Sequence, residues 1–163
     1  MRLYLLRHGI AIDREDPDCP PDPERQLTER GVLRTRAAVA GLKRLGVAPD
    51  VILSSPWRRA RQTADIAAGI LEGGAEVREA DGMLPHDDPV LFFSRLPDLG
   101  AGAVLCAGHN PHLNGLLAAA TGQPGSFTWL KKAGCACLQI RDGWGTLEWL
   151  MTSKALRRIG DAE

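Results

Sequence analysis

Three short polar segments hold the residues best able to do chemistry: Arg7-His8-Gly9, the run Ser54-Ser55-Pro56-Trp57-Arg58-Arg59-Ala60-Arg61-Gln62-Thr63-Ala64, and Gly108-His109-Asn110-Pro111. Gathered in one place, these arginines and histidines make a pocket for phosphate, because planar guanidinium forks match phosphoryl oxygens. Nothing in the set suits a carbonyl substrate or a nicotinamide better. An unprotonated imidazole can attack phosphorus and carry the group covalently, which makes His8 the candidate nucleophile. Neighbouring guanidinium charge disfavours the imidazolium form and helps to keep that ring free. Arg7 and Arg59 are candidates to clamp the equatorial phosphoryl oxygens. His109 offers two roles, donating to a phosphoryl oxygen or exchanging a proton with the leaving group or water. Taken singly, each residue has a plainer role. His8 would be a hydrogen-bonded histidine closing a strand, and His109 a satisfied loop histidine. Arg58, Arg59 and Arg61 would be a solvated helix face, and they cannot all point the same way. His86 and His112 read as surface or structural histidines outside the site.

The elements that must position these segments follow from the apolar pattern. Residues 2–6, 51–53 and 103–107 are short apolar runs, the mark of strands buried on both faces. Each of the three polar segments follows one of them. Thr28 predicts a helix N-cap, with Val32, Val39, Leu42 and Leu45 as a helical apolar stripe behind it. Ser55-Pro56 and Asn110-Pro111 each predict a capping residue with proline at the first helical position. A weaker helix covers 89–96, and the C-terminal third reads as strands at 134–140 and 146–151 about a turn at Asp142-Gly143. Residues 13–26 are rich in Pro and Asp and predict a long loop, a feature that in a small domain is usually functional. Strands alternating with helices imply an α/β layer fold with a largely parallel sheet, whose ligands bind beyond the carboxyl ends of the strands.

The bulk properties bound the partners. A chain of 163 residues fits one domain, 1–163, with a core of its own. Lys plus Arg balance Asp plus Glu at 20 each, which argues against nucleic acid or a membrane as the partner of the chain as a whole and leaves room for a local anion site. The first residues lack the apolar core and cleavage site of a signal peptide, and no stretch approaches a membrane span, so a cytoplasmic location is expected. Cys19, Cys106, Cys135 and Cys137 match no zinc spacing and no disulfide frame, so buried free thiols are expected, with no metal and no cofactor.

Together the segments resemble the histidine phosphatase superfamily, the phosphoglycerate mutase-like fold. The resemblance rests on Leu5-Leu6-Arg7-His8-Gly9, Arg25-Gln26-Leu27-Thr28-Glu29-Arg30-Gly31, the Ser54 to Ala64 run and Gly108-His109-Asn110-Pro111, in the family's order over about 115 residues. Within the superfamily the short chain and the ending Trp149-Leu150-Met151-Thr152 then Leu156 look most like SixA-type phosphohistidine phosphatases. The resemblance implies a three-layer α/β/α fold with a mixed, mainly parallel central sheet. It makes His8 the phosphate-accepting nucleophile, Arg7 and Arg59 phosphate ligands, and His109 the second histidine of the pocket. Gln62 and Thr63 would support the helix behind Arg59. The activity implied is removal of phosphate from phosphohistidine on a protein, with a small phosphorylated metabolite as the alternative substrate and an idle phosphate-binding module as a third reading. Relatives acting on esters carry an acidic proton donor in mid-chain. Here Ile10 follows Gly9, and the stretch near Glu79, Asp81, Asp87 and Asp88 has no clear acid at the donor's place. Losing a general acid removes about 10²–10⁴ of rate where an alkoxide must leave. A phosphoramidate releases an imidazole that is readily protonated, so the gap favours phosphohistidine. The short chain also leaves little room for a cap, and an open pocket is expected.

Overall fold

In the computed structural model, which describes residues 1–161, the apolar runs become the inner strands of one sheet. The strands are β1 (Arg2–Arg7), β2 (Val51–Ser54), β3 (Glu76–Glu79), β4 (Ala103–Gly108), β5 (Cys135–Arg141) and β6 (Trp144–Met151), in spatial order β3-β2-β4-β1-β5-β6. Leu3 to Leu6 and Val104 to Ala107 are buried throughout, as central strands covered on both faces must be. β3, β2, β4 and β1 run parallel, and β5 alone runs against its neighbours β1 and β6. The β5–β6 turn places Asp142 and Gly143 at φ 51° and 79°, the left-handed pair that a two-residue hairpin requires.

Among the described residues five α-helices cover the sheet: α1 (Glu29–Arg44), α2 (Arg58–Ile70), α3 (Pro89–Arg95), α4 (His112–Ala120) and α5 (Ser153–Gly160). Val39 and Leu42 of α1, Ala64 and Ala67 of α2 and Leu156 of α5 pack with Tyr4, Leu6, Ile52 and Leu105 on one face. Phe92 of α3 and Leu113, Leu116 and Leu117 of α4 pack with Leu3, Leu5, Leu53 and Val104 on the other. The result is the expected α/β/α three-layer architecture. Helices α1 and α4 follow the adjacent strands β1 and β4 but leave to opposite faces. That arrangement opens a crevice at the carboxyl ends of the two strands.

Several boundaries differ from the sequence expectation. Thr28 caps α1 as predicted, its hydroxyl accepting from Gly31 N at 2.9 Å. Ser55-Pro56 and Asn110-Pro111 do not open their helices as predicted. Trp57 and Pro111 occupy the N-cap positions instead, and neither caps through its side chain. Strand β3 (Glu-Val-Arg-Glu) was not expected from its residues and forms because its backbone pairs with β2. Helix α5 also was not expected. Thr152 caps it, Leu156 anchors it, and Gly41 of α1 leaves the space its backbone needs. All four cysteines are free, and Cys106, Cys135 and Cys137 are buried, which pushes their thiols up and makes them inert. Among the described residues no helix is long and apolar enough to cross a membrane.

Candidate active site

The parallel ladder extends one residue past the strand ends. His8 N donates to Gly108 O at 3.0 Å, and Ser55 N donates to Ala107 O at 3.1 Å. This carries His8, Ser55 and His109 side by side to the mouth of the crevice. Arg7, His8, Arg59 and His109, the four residues singled out in the sequence, all line one cavity of about 630 Å³. The His8 and His109 rings lie 5.1 Å apart between centroids.

The state of the His8 ring follows from its partners. Its Nδ1 lies 2.7 Å from Gly9 O, and a carbonyl only accepts, so Nδ1 carries the proton. Nε2 therefore bears the lone pair, and the guanidinium Nε–H of Arg59 donates to it at 3.3 Å. Burial, reinforced by the Arg59 and Arg7 charges, lowers the His8 pKa to about 3. His109 is lowered to about 2 by burial, with His8 and Arg59 adding to the effect. Both rings are neutral at any ordinary pH.

The glycine after His8 is required by space. A Cβ at Gly9 would overlap the Thr35 hydroxyl of α1 and press on Gly31 O at 3.3 Å. What Gly9 provides is a close approach of backbone to helix. Thr63 accepts from Gly9 N at 3.2 Å and donates to Arg59 O at 2.8 Å, linking the two halves of the site. Gln62 accepts from Leu27 N at 2.7 Å and ties α2 to the segment before α1, rather than supporting Arg59 directly.

Ser55 gives its side chain to the site. Its Oγ lies 2.9 Å from His109 Nε2 and accepts from Trp57 N at 3.4 Å. The other ring nitrogen of His109, Nδ1, is buried with no partner. Trp57 packs its indole edge-on to His109 at 5.0 Å and lies under the Arg59 guanidinium at 4.7 Å. Asn110 turns its amide to Leu130 O at 2.9 Å, the carbonyl that also accepts from Arg7 Nη1 at 2.9 Å. Those distant bonds explain why neither Ser55 nor Asn110 caps a helix. Arg7 Nε is buried without a partner, a further orphan at the cavity.

The 13–26 loop forms one wall, with Asp13, Arg14, Glu15, Asp22 and Arg25 lining the cavity. Arg59 Nη1 donates to Asp22 O at 2.6 Å and lies 3.3 Å from its carboxylate. Arg25 and Arg14 hold the same carboxylate at 2.7 and 3.1 Å. Burial pushes the Asp22 carboxyl up, but the hydrogen bond from Arg25 and the charges of Arg59 and Arg14 outweigh it, so its pKa is lowered and it stays ionised. Sequence reasoning pointed to the loop but not to Asp22, because nothing local announces a contact 37 residues away. Of the four mid-chain acids weighed as proton donors, none lines the cavity. Glu79 pairs with Arg61 at 3.4 Å, Asp87 accepts from Leu84 N at 2.7 Å, and Asp88 caps α3. His86, set aside in the sequence, does line the cavity beside Pro85. His112 stays outside, buried edge-on against Phe92 at 5.6 Å.

Comparison with known proteins places the chain's sequence and fold among histidine phosphatases. Residues 3–83, which include Arg7, His8 and Arg59, match the model of the histidine phosphatase superfamily (branch 1). An uncharacterized protein of Picosynechococcus sp. (strain PCC 7002) is 39% identical over 138 residues, 82% of each chain. The protein histidine phosphatase SixA, solved with tungstate, superposes with a TM-score of 0.85 at 26% identity, over 96% of this chain and 99% of its own. A phosphoglycerate mutase from Bacillus anthracis str. Sterne shares the fold, with a TM-score of 0.74 at 16% identity over 99% of this chain and 97% of its own.

Proposed function

The chain belongs to the histidine phosphatase superfamily, and from that premise we propose that it removes phosphate from phosphohistidine on proteins, with His8 as the covalent acceptor. The observation that carries this reading is the neutral His8 ring, whose Nε2 lone pair faces Arg59 in a cavity shared with Arg7 and His109. The Nε2 lone pair attacks phosphorus, and the bond from phosphorus to the substrate's ring nitrogen breaks. That imidazole leaves with the electron pair and takes a proton from water. A water oxygen then attacks phosphorus, the bond to Nε2 breaks, and inorganic phosphate departs with His8 restored as the free base. Arg59 and Arg7 hold the equatorial oxygens, where charge accumulates in a loose transition state. With the Ser55 hydroxyl donating to Nε2, His109 carries its proton on Nδ1, and a phosphoryl oxygen supplies the partner which that orphaned atom lacks.

The choice of phosphohistidine rests on the walls of the cavity. Glu79, Asp81, Asp87 and Asp88 are absent from it, so the region that serves ester-cleaving relatives supplies no acid. His8 lies at the cavity floor, 7% exposed, under a rim of exposed residues that includes Asp13, Glu15, His86 and Lys132, a form that admits a side chain displayed on another protein. One observation favours a second reading, a phosphomonoesterase for a small metabolite: Asp13 and Glu15 reach the cavity from the loop and could protonate an alkoxide. A panel of a phosphohistidine peptide, a phosphoserine peptide and small sugar phosphates separates the two. The first reading expects kcat/KM for phosphohistidine to exceed the esters by at least about 10², the scale of one missing general acid. Equal or better turnover of a sugar phosphate would overturn it.

A further inference from the structure

A second depression, of about 390 Å³, lies beside the catalytic cavity and is lined by Arg34, Lys131, Lys132, Lys154 and Arg157. Among the described residues no carboxylate lines it and none of the five cations forms an ion pair. A chain with formally balanced charge has therefore left five like charges together on three separate elements. Arg157 Nε is buried without a partner, and Arg34 is lowered by desolvation and by repulsion from Arg30 and Arg157. The N-terminus of α5 opens here too, with Thr152 and Ser153 in the wall, and its free N–H groups add to the positive field.

The depression is continuous with the site. Lys132 and Ile10 line both cavities. Ala133 N donates to Arg7 O at 3.0 Å and to His8 O at 3.1 Å, so the 131–133 segment is fastened to the strand end that carries His8.

We infer that this basic depression is a docking subsite for carboxylates that flank the phosphorylated histidine on the protein substrate. The inference rests on the phosphohistidine-protein reading above. A chain seated with its phosphoryl group over His8 runs its neighbouring residues out past Lys132 and Ile10 into the depression. Lys131, Lys132 and Lys154 are exposed, and lysines on flexible stems suit carboxylates spread along a chain better than the tight cradle of forks that a second phosphate selects.

The test has two arms. In the first, phosphohistidine peptides flanked by Glu or by Gln are compared at low ionic strength. The wild type is expected to favour the Glu-flanked peptide by about tenfold in kcat/KM, the scale of a few exposed ion pairs, and to lose the preference in high salt. The double variant Lys131→Gln/Lys154→Gln is expected to equalise the two peptides while leaving free phosphohistidine unchanged. Both side chains are exposed and, among the described residues, make no hydrogen bond, so the fold is not at stake. In the second arm, unphosphorylated hexaglutamate is titrated into protein saturated with inorganic phosphate, and backbone amide shifts are followed. Shifts at Lys131, Ser153 and Lys154 in the wild type, absent in the double variant, are expected. Equal turnover of the two peptides by the wild type would overturn the subsite and leave the phosphohistidine reading standing. So would amide shifts that follow tripolyphosphate but not hexaglutamate. If hexaglutamate shifts those amides but neither phosphohistidine peptide is hydrolysed, the phosphohistidine reading fails and the acidic docking surface stands.

Discussion

Acid should destabilise this protein through its two site histidines, and the size of the effect follows from their burial. His8 and His109 are neutral when folded, with pKa values of about 3 and 2, and both return to the ordinary histidine value of 6.5 when the chain unfolds. Between those values the unfolded state binds the extra protons, so stability rises with pH up to about 6.5 and is flat above it. Going from pH 7.5 to pH 5 should cost ~2 kcal/mol for each ring, ~4 kcal/mol for the pair, at 1.36 kcal/mol per pH unit below 6.5. His112, whose pKa is also lowered by burial, adds in the same direction. Urea unfolding at a series of pH values measures the slope. His8→Ala and His109→Ala should each remove about one proton from it between pH 5 and 6. The Asp22 carboxyl, held low, titrates below this window and should not contribute. If His8→Ala keeps the full wild-type slope, that ring is not held neutral and the argument for a free Nε2 on His8 loses its basis; the same result in His109→Ala would overturn the neutrality of His109.

The other predictions concern the walls of the cavity. Arg59→Ala should lower kcat by about 10²–10³ in steady-state assays, because a donor to the transition-state oxygens is lost; a fall in kcat/KM through KM alone would contradict that role. Asp22→Asn should tighten inhibition by inorganic phosphate about threefold to tenfold, since a part-exposed carboxylate no longer competes for Arg59. Gly9→Ala should destabilise by ~1–3 kcal/mol through overlap with Thr35, and adding Thr35→Ala should recover part of the loss in urea unfolding. Glu79→Gln and Asp81→Asn should leave kcat/KM within about twofold of the wild type, since neither carboxylate reaches the cavity.

What the sequence disclosed depended on the range of the interactions involved. Leu3 to Leu6 and Val104 to Ala107 announced buried strands because burial on both faces demands uninterrupted apolar residues. Thr28 announced its helix because capping is local. Strand β3 stayed hidden because three of its four residues, Glu76, Arg78 and Glu79, are charged and its ladder to β2 is a property of the fold. Helix α5 stayed hidden because it is only eight residues long and holds to the core by a single fully buried anchor, Leu156. Ser55 and Asn110 looked like caps because of the prolines beside them, yet their side chains answer to His109 and Leu130, far off in the chain. The same limit applies to the site. Arg7, His8, Arg59 and His109 were legible as chemical types at strand ends, while Asp22 on Arg59, His86 on the wall and the five-cation depression come into view only when distant segments meet.

The most direct measurement is the site of the covalent intermediate. Enzyme mixed with excess phosphohistidine peptide and quenched in alkali during turnover should carry one phosphoryl group, mapped by mass spectrometry to the peptide containing His8 and assigned to Nε2 by phosphorus NMR. His8→Ala should carry none and should not turn over. A phosphoryl group on any other residue, or full turnover by His8→Ala, would contradict the account.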